Sequence, residues 1–256
     1  MDTHGEYGFS VRTYECGADG KATLVTICNY LQEAAALNAK ELSFSKSDFD
    51  AAGENISWVL SRMRVKMSEY PRWGERVNVL TFPRGGRRIT AWRDFVLTAA
   101  DGRLLGVATT EWMLIDLATR KVMAVPPAVF AVANTVRAPV LGEEPYTPRL
   151  RFPADAALSA GGRLLFRAQH SQIDLNGHVN NAHYVAWLLE ACPSSEVSDL
   201  EIVFRSETFA GNEVVVEVAH GCASAPDGHA EPCRYHRVSD PSGKDHVVAL
   251  SRAFHP

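Results

Sequence analysis

Apolar positions recur along this chain in two rhythms, one helical and one alternating, and the same succession of rhythms occurs in both halves. Between Ala22 and Lys40, the residues Leu24, Ile27, Cys28 and Leu31 fall at i, i+3, i+4 and i+7, which predicts a helix with one apolar face. A short alternating run from Tyr7 to Tyr14 precedes it. Beyond it, Val59, Ser61, Met63, Val65 and Met67 alternate with Arg62, Arg64 and Lys66, the pattern of a half-buried strand. A turn at Pro71-Arg-Trp-Gly74 leads to a strand from Val77 to Phe82. Pro83-Arg-Gly-Gly-Arg87 reads as a hairpin turn, because Gly-Gly supplies positive φ. Two long strands, about Ile89 to Leu97 and Leu104 to Ile115, flank Asp101-Gly102.

The second half repeats this order. Arg163 to Gln169 reads as a strand, Asn180 to Ala191 as a helix, and Leu200 to Arg205 and Val214 to Val218 as strands. A last pair flanks Pro241-Ser-Gly243 and ends with Val247 to Phe254. Trp73-Gly74-Glu75 before Val77 parallels Gly211-Asn212-Glu213 before Val214, and Asp101-Gly102 parallels Ser242-Gly243. The second helix is apolar nearly all round: Tyr184, Trp187, Leu188 and Ala191 share a face, and Val185 and Leu189 fill much of the rest. Such a helix must be buried nearly all round. A meander of antiparallel strands wrapped around one helix meets that need. The expected fold is therefore α+β, a tandem hotdog, with an N-terminal repeat at 1–136, a linker at 137–162 rich in breakers such as Pro139, Gly142, Pro145, Pro148 and Pro153, and a C-terminal repeat at 163–256.

Composition narrows the classes. The 256 residues are 46% hydrophobic and 22% charged, as in ordinary globular proteins. Lys plus Arg number 26 against 30 Asp plus Glu, a net charge of -4, so no bulk basic field exists to hold nucleic acid. The longest apolar stretch, Val122 to Ala133, is short and broken by Pro126 and Pro127, so no membrane span is expected. The first residues have neither a basic nor an apolar leader region, and no signal peptide is expected. Five scattered cysteines (Cys16, Cys28, Cys192, Cys222, Cys233) without a C-x-x-C pair suit reduced thiols and a cytoplasmic location rather than a zinc site. No P-loop or G-x-G-x-x-G pattern supports a nucleotide, and His178 and His183 do not share a helix face as a metal pair would.

The chemistry concentrates in Ile173-Asp-Leu-Asn-Gly-His-Val-Asn-Asn-Ala-His-Tyr-Val-Ala-Trp-Leu-Leu-Glu190. Asp174, Asn176 and His178 alternate through a turn and stop at a helix start that Asn180 or Asn181 can cap. One reading takes them as turn and cap residues only. The other notes that a helix N-terminus offers free N–H groups and a positive dipole end, where a carbonyl oxygen would be polarised. An acid, an amide and an imidazole beside it supply what acyl transfer needs.

Asp174-Leu-Asn176-Gly-His178-Val-Asn-Asn-Ala-His-Tyr184-Val-Ala-Trp187-Leu-Leu-Glu190 resembles the signature of the acyl-[acyl-carrier-protein] thioesterases, the plant chain-terminating enzymes and their bacterial relatives. Tyr70-Pro-Arg-Trp73-Gly-Glu75 and Glu111-Trp112-Met-Leu-Ile-Asp116-Leu-Ala-Thr119-Arg120 also resemble family segments, so the likeness runs from about Tyr7 to Phe254. The resemblance implies a tandem hotdog that hydrolyses fatty acyl thioesters without cofactor or metal. It makes Asp174, Asn176, His178 and Glu207 the catalytic positions. Val179, Asn180, Asn181 and Trp187 are the expected substrate-binding positions, the first three through backbone N–H groups facing the oxyanion.

Plant members carry a cysteine after the acid, where this chain has Thr208, so no cysteine nucleophile operates there; either water attacks directly or the chain is not active in the family's manner. The proton acceptor is Glu207 or His178. The implied partner is an acyl carrier protein bearing a phosphopantetheine-linked acyl chain, which Arg84, Arg87 and Arg88, or Arg120 and Lys121, could steer unless these are simply solvated turns. Rival readings are an acyl-CoA thioesterase and a non-catalytic acyl-thioester-binding module. Chain length depends on how the first repeat closes the acyl site, around Met63 and the helix from Leu24 to Leu42. The sequence leaves open whether the chain is a monomer or a homodimer.

Overall fold

The computed structural model describes residues 3–192, 196–224 and 230–254, which form two compact units, Met1–Pro145 and Tyr146–Pro256. In the first, β1 (Gly5–Ser10) precedes helix α1 (Leu24–Glu41) and a short α2 (Lys46–Ala51). The strands β2 (Ile56–Met67), β3 (Arg76–Arg87), β4 (Thr90–Ala99), β5 (Leu104–Asp116) and the two-residue β6 (Val122–Met123) follow, then α3 (Pro127–Ala131). The strands run antiparallel in the order β1-β3-β4-β5-β2, with β6 on β5. In the second unit, β7 (Leu158–Arg167), α4 (Asn181–Glu190), β8 (Val197–Phe204), β9 (Glu213–Ser224), β10 (Ala230–Ser239) and β11 (Asp245–Ala253) give the order β7-β9-β10-β11-β8. Strand for strand the two orders are the same, so each unit is a helix laid on one antiparallel sheet. This is the tandem hotdog expected from the pattern.

Burial explains why the helices form. In α1 the side chains of Leu24, Ile27, Cys28, Leu31, Ala34 and Ala35 are buried, and Tyr30 on another face stacks on Phe9 of β1 with centroids 4.5 Å apart. Thr23 caps the helix by accepting the Thr26 N–H at 3.2 Å. In α4, Tyr184, Val185, Trp187 and Leu188 are all buried, as an all-round apolar helix requires. Phe95, Leu97 and Leu114 in the first unit, and Ile202 and Leu250 in the second, are close to fully enclosed. Each contributes about 1.5–3 kcal/mol of apolar burial.

The structure differs from the pattern at two bulges. In β2, Leu60 pairs with Trp112 and Arg62 with Glu111, so Ser61 is the extra residue. The bulge shifts the alternation, and Leu60 rather than Val59 is buried with Met63. The second correction concerns Pro83-Arg-Gly-Gly-Arg87, which is not a turn. β3 continues through it to Arg87 with a register shift between Pro83 and Gly85, and the connection to β4 comes after. Gly85 and Gly86 do take positive φ, 103° and 151°, but within the strand, Gly85 beside the bulge and Gly86 where β3 lies close against Thr90 and Ala91.

The arginines of this segment are engaged within the unit. Arg84 reaches buried Asp94 (3.9 Å) and Glu143 (3.4 Å) and lies over the Trp92 ring, while Arg87 pairs with Glu144 at 2.7 Å. With Val140 N–H donating to Asp94 and Arg64 donating to the Pro145 carbonyl, they fasten residues 140–145 to the sheet. Their use here competes with any steering of a partner.

The two kinds of glycine separate experimentally. A Cβ at Gly86 would sit 2.1 Å from the Thr90 carbonyl oxygen, whereas one at Gly102 (φ 86°), in the β4–β5 turn, meets open space. Gly86→Ala should therefore lower the unfolding free energy by about 3 kcal/mol and Gly102→Ala by about 1 kcal/mol. Urea midpoints at constant m-value test this; equal losses would contradict the close approach of the Thr90 carbonyl to Gly86.

Candidate active site

The site is built on one turn and one strand end of the second unit. After a 3-10 turn at His170–Gln172, Ile173 bridges to Val179, and between them the chain reverses over Asp174–His178. Asp174 N–H donates to the His178 carbonyl (2.9 Å) and Gly177 N–H to the Asp174 carbonyl (3.0 Å), with Gly177 at φ 84°. Only glycine takes that conformation without strain. The Asp174 carboxylate accepts the Asn176 backbone N–H at 2.8 Å and its side-chain amide at 3.4 Å. Asn176, exposed at the tip, thus fixes the acid's orientation. Asn180 is the N-cap of α4, its amide oxygen accepting the Ala182 N–H at 2.9 Å.

The strand end comes from the other side. Beyond β8, Arg205 and Ser206 donate their N–H groups to the His246 carbonyl at 2.8 and 3.3 Å, and the Thr208 carbonyl accepts the Val179 N–H at 2.8 Å. Glu207 is held between these anchors, beside the start of α4. His178 consequently lies between two carboxylates, Nδ1 3.8 Å from Asp174 Oδ1 and Nε2 3.5 Å from Glu207 Oε1. The three side chains are 20–23% exposed, enclosed enough to strengthen electrostatics yet open to a reactant. All four expected catalytic residues thus fall in one small region, at distances that loosely match a hydrogen-bonded relay before substrate arrives.

Three expectations need revision. Val179 N–H is spent on Thr208 and Asn180 N–H on the Gln172 carbonyl (2.9 Å), so neither can face an oxyanion. Among the described residues only Asn181 N–H, of the three, has no acceptor, and it is the first N–H of α4. Trp187 is buried in the core, 6.0 Å from the Phe166 ring and 5.3 Å from that of Tyr184, with a packing role. Thr208 is fully buried, and its contribution is the backbone carbonyl. Burial pushes the neighbouring Tyr184 phenol up to about 12, so it stays protonated.

The first unit contains the same backbone cradle. Gly17 N–H bonds the Lys21 carbonyl, Gly20 N–H the Gly17 carbonyl, Ala22 N–H the Pro71 carbonyl and Thr23 N–H the Glu15 carbonyl, at 2.8–3.0 Å. These match, bond for bond, Asp174 to His178, Gly177 to Asp174, Val179 to Thr208 and Asn180 to Gln172. Gly17, Asp19, Lys21 and Tyr70 therefore stand where the second unit has Asp174, Asn176, His178 and Glu207. The same bonds set Gly74 against Gly211, since each donates to the strand before the helix, Val11 or Ala168. The sequence match of Trp73-Gly74-Glu75 with Gly211-Asn212-Glu213 is thus one residue out.

Two family models match the chain: the acyl-ACP thioesterase N-terminal domain over residues 4–133 and the acyl-ACP thioesterase C-terminal domain over residues 156–249. The chain is 33% identical over 210 residues to oleoyl-acyl carrier protein thioesterase 1, chloroplastic, of Arabidopsis thaliana; the match covers 76% of this chain and 56% of that protein. The chain thus spans little more than half the length of that plant relative. Two solved structures share its fold. The 12:0-ACP thioesterase from Umbellularia californica superposes with TM-score 0.82 at 21% identity, covering 98% of this chain and 95% of its own. An acyl-ACP thioesterase from Bacteroides thetaiotaomicron gives 0.76 at 21% identity, covering 98% and 97%. Both repeats match the paired domains in order, and the chain belongs to the acyl-ACP thioesterase family.

Proposed function

We propose that this chain hydrolyses the thioester of a fatty acyl group carried by acyl carrier protein, releasing the free fatty acid and ending chain elongation. The observation that carries the proposal is His178 held between Asp174 and Glu207 beside the unpaired Asn181 N–H at the start of α4. Family membership supports the substrate class, and the name of the Arabidopsis relative specifies a carrier-bound acyl group. The second repeat supplies the chemistry. The enzyme resides in the cytoplasm, where its five free thiols stay reduced. Among the described residues no helix is long and apolar enough to cross a membrane.

In this mechanism a water beside Glu207 and His178 loses a proton to one of them as its oxygen attacks the thioester carbon. The carbonyl oxygen becomes an oxyanion, stabilised by Asn181 N–H and the positive end of α4. Collapse of the tetrahedral intermediate breaks the C–S bond, and the proton returns to the departing pantetheine thiolate. Asp174 keeps the imidazole oriented, and Asn176 keeps Asp174 in place.

Release of fatty acid from carrier-bound acyl chains of graded length is the test. His178→Ala and Glu207→Gln should each cut kcat by about 10²–10⁴-fold with unchanged thermal unfolding. Faster turnover of the CoA esters would move the reading to an acyl-CoA hydrolase, and binding without turnover to a silent acyl-thioester module. A second variant isolates the oxyanion donor. Asn181 is the first residue of α4 and Asn180 has φ -59° and ψ 139°, so proline fits at 181 without disturbing the helix. Asn181→Pro removes the N–H together with the side chain, whereas Asn181→Ala removes the side chain only; the proline variant should have kcat about 10²-fold below the alanine variant at near-native stability. Equal kcat in the two would exclude that N–H from the reaction.

A further inference from the structure

Glu207 has no secondary structure to hold it, since β8 ends at Phe204. The residue just before it makes a side-chain contact with β11 that the mechanism above does not use. Ser206 Oγ lies 2.9 Å from His246 Nδ1 at the start of β11, and it also donates to the Asp245 carbonyl at 3.2 Å. With the proton on Nδ1, the imidazole donates to Ser206 Oγ and the serine hydroxyl donates to the Asp245 carbonyl, so both groups are satisfied in one chain of bonds. His246 is 8% exposed, which limits competition from water.

The first unit provides an internal control. There Ser68 and Glu69 donate their N–H groups to the Leu105 carbonyl at 2.8 and 3.2 Å, as Arg205 and Ser206 do to His246 at 2.8 and 3.3 Å. Glu69 therefore corresponds to Ser206 and Leu105 to His246. Leu105 is fully buried and Glu69 turns outward to Arg103. The fold makes this turn with a leucine at 105 and no bond between the side chains at 69 and 105; its side-chain tie is the outward Glu69–Arg103 ion pair. The serine–histidine pair is added where the next residue is Glu207 instead of Tyr70.

We propose that Ser206 and His246 are positioning residues that fix Glu207 against His178 through the Ser206 Oγ–His246 Nδ1 hydrogen bond. The inference rests on the hydrolytic reading of the site. A misplacement of the order of 1 Å in a reacting group is enough to cost one to two decades in rate.

The test uses His246→Leu, which installs the residue the first unit tolerates, and Ser206→Ala. Each should lower kcat about tenfold with KM within twofold. The double variant should be little slower than either single one, because the Ser206 Oγ–His246 Nδ1 bond is already gone in each; Ser206→Ala also loses the bond to the Asp245 carbonyl and His246→Leu the 3.4 Å contact of Nδ1 with the Ser206 carbonyl. Ser206→Thr, which keeps the hydroxyl, and His246→Asn, which can keep a hydrogen-bonding atom near Nδ1, should recover most of the rate. In a Glu207→Gln background, Ser206→Ala should cause no further loss. A tenfold loss persisting there, or no loss in the wild-type background, would overturn the proposal. The side-chain nitrogen resonance of His178 Nε2, read at fixed pH, needs no turnover. It should move in Glu207→Gln and Ser206→Ala and stay in Ser206→Thr. If the wild type cleaves no thioester at all, the hydrolytic reading fails. The resonance then decides: no movement in Ser206→Ala overturns the positioning role, and movement upholds it.

Discussion

One backbone hydrogen bond, from the Val179 N–H to the Thr208 carbonyl, joins the two pieces of chain that make the site. It ties the start of α4 to the segment after β8, and with it His178 to Glu207. Both groups are on connections, where the sheet ladder exerts no direct hold. The bond is buried, as the enclosure of Val179 and Thr208 shows, so losing it would strand a donor and an acceptor away from water. That cost makes the geometry of the site part of the folding of the second unit. The same bond, Ala22 to Pro71, closes the first unit, where Lys21 and Tyr70 stand in place of His178 and Glu207.

The two units therefore separate scaffold from chemistry. Turn, positive-φ glycine, N-cap and strand-end anchor occur in both, with bond lengths that agree closely. What differs is the side chains: Asp174, Asn176, His178 and Glu207 in one cradle, Gly17, Asp19, Lys21 and Tyr70 in the other. A feature present in both cradles serves the fold, and one present only in the second is a candidate for chemistry. By this criterion Gly177, matched by Gly20, is architectural. The Ser206–His246 bond is not.

Legibility in the sequence followed the range of the interaction. The α1 and α4 faces, the Asp101-Gly102 and Pro241-Ser-Gly243 turns and the repeated order of elements were readable because periodicity and turn chemistry are local. Asp174, Asn176 and His178 were readable for the same reason, since their spacing lies within one turn. Glu207 came only with the family likeness, because its proximity depends on tertiary contacts. The bulges at Ser61 and Pro83–Gly85 were missed: an inserted residue changes the phase of a strand without a signal in the alternation. The Val179 and Asn180 N–H groups were misassigned since their acceptors, Thr208 and Gln172, become neighbours only on folding. Arg84 and Arg87 read as a surface patch until the acids at 143 and 144 were placed against them.

The central claim is that water attacks the thioester directly while Glu207 and His178 handle its proton, with no acyl-enzyme formed. A single turnover of excess enzyme on acyl-carrier-protein substrate in oxygen-18 water tests it most directly. Direct attack places the heavy isotope in the released fatty acid, leaves the enzyme unlabelled and, in samples quenched during the turnover, leaves no acyl group on the protein. An unlabelled acid from that first turnover, with oxygen-18 recovered in the peptide containing Glu207, would show the carboxylate acting as nucleophile and contradict the account.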